Sequence, residues 1–299
     1  MTRRGPFNGK RSGTLVLIAW VVLAIALLSG GAGAESTGWP EACGIASPES
    51  ATPRAHGAGA VPFPTEGGDL TVFAASSLTD AFEEIGDAIE ADNPEVSVTF
   101  NFAGSQTLVT QLAEGATADV LATADAASMA MAADAQVVTG EPQVFAGNVV
   151  VLVVPATNPA DITRVADLSR PGVKLVLAGP SVPAGRYARE AMCVVSMTAP
   201  LGWLEGLKGN VVSEEEDVRD VLAKVQLGEA DAGLVYATDA QSAGDAVIAI
   251  SLPDGAGPMV HYPIAAATDG DVALAAAFIR YVRSDEGAAI LRAHGFLAP

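Results

Sequence analysis

At four places in this 299-residue chain, an apolar run ends in a turn of hydroxyl, glycine or proline residues, and a helical pattern follows. Residues 70–75 lead into Ser76-Ser77-Leu78-Thr79, and residues 96–102 into Ala103-Gly104-Ser105. Residues 173–178 lead into Gly179-Pro180-Ser181-Val182-Pro183-Ala184-Gly185, and Val211-Val212 into Ser213-Glu214-Glu215-Glu216-Asp217-Val218. The start of a helix offers N–H groups without intrahelical partners and the positive end of a dipole, so it attracts anions. The hydroxyls of Ser77 and Ser105 add neutral donors. Such residues, brought together, can hold a tetrahedral oxyanion through hydrogen bonds alone. Taken singly, each has a plainer reading. A helix-start serine is usually a cap worth about 1 kcal/mol, Ala184-Gly185 a tight turn, Val218 a core position and Tyr236 a packed ring. Arg186 and Arg219 beside the turns read as solvated first-turn charges, and residues 214–217 as an acidic complement to the helix dipole.

Other chemistries fit less well. Gly179-Pro180-Ser181-Val182-Pro183 nearly spells the G-x-S-x-G of serine hydrolases, but proline stands where the last glycine belongs. Of the three histidines, His56, His261 and His294, none is placed by the sequence as a base for Ser181. No Cys/His cluster has metal-ligand spacing, and no G-x-x-x-x-G-K-[ST] loop occurs. The expectation is a binding protein: not an enzyme, without a cofactor, and without a metal cation coordinated by protein ligands.

The elements that must position these turns alternate. Strands are expected over 70–75, 96–102, 120–123, 149–154, 173–178, 211–212, 232–236, 247–250 and 259–267. Helical spacing covers 80–91, 106–114, 184–195, 216–227, 272–283 and 286–294. The uninterrupted apolar run 149–154 marks a strand buried on both faces. The alternation predicts an α/β chain with mainly parallel sheets and right-handed crossovers, its ligand site outside the carboxyl ends of the strands. Two segments, 148–155 and 259–267, are expected to join two lobes as a hinge.

Half of the residues are hydrophobic but only 5% are aromatic, a profile of small residues in close helix–sheet packing rather than of a disordered chain. The first 34 residues stand apart. Arg3, Arg4, Lys10 and Arg11 precede an apolar run over 15–28 and the small residues Ala32-Gly33-Ala34. That order describes a secretory signal, with a retained membrane anchor as the alternative. Loss of those four cations takes the net charge from −19 to −23, which excludes nucleic acid as a natural partner. It also gives an anionic ligand no long-range attraction, so an anion site must work through short-range dipoles. Residues 35–68 are rich in Pro, Gly and Ala and read as a tether or surface wrap. Cys43 and Cys193 most simply pair as a disulfide in an oxidising compartment; lipidation of Cys43 is the rival, against a poor lipoprotein context in Pro40-Glu41-Ala42.

Taken together, the motifs resemble the periplasmic molybdate-binding proteins (ModA) of ATP-driven importers. The resemblance lies in Val72-Phe73-Ala74-Ala75-Ser76-Ser77-Leu78, Phe102-Ala103-Gly104-Ser105, Val182-Pro183-Ala184-Gly185-Arg186-Tyr187-Ala188, Glu216-Asp217-Val218-Arg219 and Gly233-Leu234-Val235-Tyr236, and extends to Tyr262-Pro263 and Gly295-Phe296. It implies a two-lobed type II periplasmic-binding-protein fold with two hinge crossings and the ligand in the interlobe cleft. Lobe 1 would comprise 69–147 and 268–299, and lobe 2 would comprise 148–267. The resemblance further implies that molybdate or tungstate is held by Ser77 and Ser105, by the N–H groups of Ala184 and Val218 and by the Tyr236 hydroxyl. It implies a monomeric carrier in the periplasm or on the outer face of the cytoplasmic membrane, tethered if at all by its N-terminus. The partners implied are a membrane permease and its ATPase. A sulfate carrier of the same architecture, or a surface-tethered sensor, is the alternative. The family favours more hydroxyls around Ser105, where this chain has Gly104 and Gln106.

Overall fold

The computed structural model describes residues 38–40, Cys43 and 62–299. The expected signal or anchor over 1–34, His56 and most of the tether lie outside the described residues. Two five-stranded sheets organise the chain. The first contains β1 (Gly68–Ala75), β2 (Val96–Ala103), β3 (Val120–Ala122), β4 (Val138–Asn148) and β10 (Val260–Ala267), in the order β2-β1-β3-β10-β4. The second contains β5 (Val150–Pro155), β6 (Leu175–Ala178), β7 (Val211–Glu215), β8 (Ala232–Tyr236) and β9 (Val247–Ser251), in the order β7-β6-β8-β5-β9. Four strands of each sheet run one way. The reversed strand is β10 in the first sheet and β5 in the second. The sheets are therefore mixed, and in each the reversed strand is the first one reached after the chain crosses from the other lobe.

The helices α1 (Thr79–Asp92) and α2 (Ser105–Ala113) follow β1 and β2, and α3 (Ala126–Asp134) follows β3. In the second lobe, α4 (Pro183–Ser196) and α5 (Trp203–Gly209) follow β6, α6 (Val218–Gln226) follows β7, and α7 (Ala237–Ala243) follows β8. The chain ends in α8 (Val272–Val282) and α9 (Asp285–Ala293). Apolar faces dictate the packing: Phe82, Ile85 and Ile89 of α1 and Val221, Leu222 and Val225 of α6 are all buried. All six residues of β5 are buried, as its unbroken apolar run requires.

The first crossing between lobes is the single residue between Asn148 and Val150. The expected second lobe, 148–267, is longer than the observed one. Because β10 is hydrogen-bonded between β3 and β4, the return crossing lies within 252–259, before the strand rather than after it. The two lobes repeat one wiring. A central strand, β1 or β6, is flanked by the next two parallel strands, so the turns after three strands of each sheet gather at the same end.

Candidate functional site

Ser77 sits in the single 3-10 turn Ser76–Leu78 that carries β1 into α1, and Ser105 is the first residue of α2. Neither helical start has a side-chain cap, so their N–H groups stay available. Across the cleft, α4 opens with Pro183, which has no N–H to lose, and Ala184 follows it, again without a side-chain cap. Gly185 is obligatory there, because a Cβ would collide with the carbonyl oxygens of Ala178 and Gly179. At α6 the Asp217 carboxylate accepts from the N–H groups of Arg219 (2.7 Å) and Asp220 (3.1 Å). It thereby caps the second and third donors and leaves that of Val218, the first, uncapped.

These turns converge. Ser77, Ser105, Ala184, Val218 and Tyr236 line one small interlobe pocket, together with Ser76, Gly104, Ala124 and Pro183 among others. All five are buried, and among the described residues no charged side chain lines the pocket. Ser105 Oγ accepts from the Ala124 N–H at 3.0 Å, and Ser77 Oγ lies 2.9 Å from Tyr262 Oη. The Tyr236 hydroxyl is fully buried without a hydrogen-bond partner. Burial is the main cause that raises its pKa well above the ordinary phenol value, so it remains a proton donor. A buried donor with nothing to donate to is costly, by about 1–3 kcal/mol, unless a ligand receives it.

A profile of bacterial extracellular solute-binding proteins matches residues 70–297. The molybdate-binding protein ModA of Mycobacterium tuberculosis H37Rv is 44% identical over 260 residues, spanning 86% of this chain and 92% of the relative. The chain belongs to the bacterial extracellular solute-binding family, in its ModA branch. Among solved structures, the periplasmic molybdate-binding protein of Azotobacter vinelandii superposes with a TM-score of 0.67 at 17% identity, covering 77% of this chain and 99% of that one. The sulfate-binding protein SubI of M. tuberculosis H37Rv gives 0.65 at 19%, covering 76% and 86%. The fold is thus the type II periplasmic-binding-protein fold.

In this solute-binding protein the arginines next to the pocket are not solvated first-turn charges. Arg186 reaches across the cleft to Asp125, the cap of α3, and to Ser128 Oγ at 3.3 Å. Arg219 donates to Asp80 of α1 at 2.7 Å and to Asp239 within its own lobe at 2.8 Å. Burial lifts the Asp239 carboxyl to about 6, against the opposing pull of Arg219. Carboxylates therefore neutralise both arginines, and the pocket keeps an uncharged wall. Gln106, a departure from the resembled pattern, donates across the cleft to the Glu216 carbonyl at 3.0 Å. Gly104 makes room for that approach, since a Cβ there would meet the same oxygen. The acidic run divides its work: Glu214 pairs with Arg189, Glu215 with Lys224, and Asp217 caps α6.

The sequence assigns no hydrogen-bonding role to Tyr262 or the Ala124 N–H, which contact Ser77 and Ser105, or to Asn148, which stands behind Tyr262. The only sequence signal was Tyr262-Pro263 as a motif and Asn148 as a polar residue at the edge of an apolar run. Ser181 is exposed and does not line the pocket; its carbonyl accepts from Arg186. Among the described residues no group of three or more His, Cys, Asp or Glu could hold a metal ion, and no helix is long and apolar enough to cross a membrane. Cys43 and Cys193 are joined in a disulfide with their Cα atoms 5.1 Å apart.

Proposed function

We propose that this chain captures a fully deprotonated tetrahedral oxyanion, molybdate or tungstate, outside the cytoplasmic membrane and delivers it to the permease of an ATP-driven importer. It does so as a monomer, with neutral donors only and without catalysis. The observation that carries the reading is one pocket lined by Ser77, Ser105, Ala184, Val218 and Tyr236, with no charged side chain among the described residues and with an unsatisfied buried phenol. The 44% identity to a protein named for molybdate binding supports the choice of anion. A bare dianion can accept from every donor in such a wall. Phosphate near neutral pH keeps a proton and needs an acceptor, and an unmatched buried polar group costs about 1–3 kcal/mol.

Calorimetric titration of the mature protein with molybdate, tungstate and sulfate tests the proposal. Molybdate or tungstate should bind at micromolar concentration or tighter, with sulfate much weaker. Tight sulfate binding with no molybdate heat would reject this choice in favour of a sulfate carrier of the same fold.

A further inference from the structure

The Ser77 and Ser105 oxygens of the pocket each have a protein hydrogen-bond neighbour. For Ser105 the polarity is fixed, because the Ala124 N–H can only donate. For Ser77 the neighbour is a hydroxyl, Tyr262 Oη, and the polarity of that 2.9 Å contact is set one residue farther back. The Val149 N–H donates to Asn148 Oδ1 at 2.9 Å, which fixes the orientation of the amide. Asn148 Nδ2 then donates to Thr238 Oγ1 at 2.9 Å and to Tyr262 Oη at 3.3 Å. Tyr262 is fully buried, and burial is the main cause raising its pKa well above the phenol range, so it keeps its proton. With its oxygen accepting from Asn148, its proton has Ser77 Oγ as acceptor. The reverse arrangement would leave a buried O–H unpaired.

We propose that Tyr262, oriented by Asn148, is a specificity-determining positioning residue: it makes Ser77 Oγ an acceptor toward the protein and therefore a donor toward the pocket, which selects anions without a hydroxyl of their own. The proposal rests on the oxyanion reading above and adds the device that rejects protonated anions. Hydrogen phosphate would bring its O–H against serine protons that already point into the pocket, with only the second lone pair of each serine oxygen left to receive it. Thr238 lies on α7 of the second lobe and Tyr262 on β10 of the first. Asn148, at the first crossing, thus ties the polarity of the pocket to the hinge.

The test is a double-mutant cycle of Tyr262→Phe and Ser77→Ala, read by molybdate titration near neutral pH, with hydrogen phosphate measured by displacement. Tyr262→Phe keeps the ring that packs edge-on against Phe145, Tyr236 and Phe296, so the fold should survive. In the native background it should weaken molybdate about tenfold, the scale of one hydrogen bond to a charged group, and leave hydrogen phosphate unchanged or tighter. In the Ser77→Ala background it should change molybdate affinity by less than about twofold. Equal losses in both backgrounds, or equal losses for molybdate and hydrogen phosphate, would overturn the relay and leave Tyr262 a packing residue. If the native protein binds sulfate and not molybdate, the functional reading fails, and the same cycle run with sulfate still decides the relay.

Discussion

Ser105 does two jobs at one oxygen, and two substitutions separate them. Its Oγ receives the buried Ala124 N–H, so Ser105→Ala leaves that donor unpaired and should lower stability by about 1–3 kcal/mol as well as weaken the ligand. Ser105→Asp keeps an oxygen for Ala124 but places a negative charge where the anion would sit. The expected outcome is a folded protein whose melting temperature no longer responds to molybdate; an undiminished thermal shift would remove Ser105 from the site. Residue types and positions carry part of this in the sequence: hydroxyls and helix starts after parallel strands are readable, whereas Ala184, Val218 and Tyr236 join Ser77 and Ser105 only through the family resemblance. The residues that set hydrogen-bond polarity are not readable. Tyr262 is 185 residues from Ser77, and Asn148 is 90 from Thr238. Pairings that distant leave no local periodicity to read.

At the scale of elements, regular amphipathic helices and buried strands were legible because burial imposes its period on the sequence. Three kinds of element escaped. β4 contains Gly140 and Pro142 and is an edge strand exposed over much of its first half, where proline is tolerated. α3, AASMAMAAD, is too uniformly small and apolar to show a face. α5 and α7 have only seven residues each, less than the window a period needs. The N-terminal strap belongs to this scale as well. Its disulfide closes a separation of 150 residues onto α4, and Trp39 lies over Arg189 and Lys208, 5.7 and 5.4 Å from its ring centroid. Loss of the Cys43–Cys193 bond should cost about 2–4 kcal/mol in denaturant unfolding, acting through the unfolded chain. Both sheets should persist, because neither cysteine belongs to a strand. An unchanged midpoint on reduction would show that the strap contributes nothing to global stability.

For the whole molecule, a chain with a formal charge of −19 would offer the proposed anion a pocket with no cationic side chain among its described lining residues. Two arginines, Arg186 and Arg219, stand on the rim instead. Arg186–Asp125 and Arg219–Asp80 join the lobes beside the pocket, and Gln106 adds a third link to the Glu216 carbonyl. The partly exposed Arg219–Asp80 pair contributes only about 0–1 kcal/mol, too little to lock the lobes by itself but enough to shift an equilibrium between open and closed forms by several-fold. Such links favour the closed arrangement whatever the pocket contains, so weakening them should tax the ligand, which must then supply the difference. Asp80→Ala with Asp125→Ala should enlarge the radius of gyration of the ligand-free protein in small-angle scattering and weaken molybdate severalfold, while saturating molybdate should return the scattering curve to that of the native complex. Equal radii for variant and native protein without ligand, together with unchanged affinity, would mean that the interlobe angle is set at the two crossings alone and that the rim pairs do not hold the lobes together.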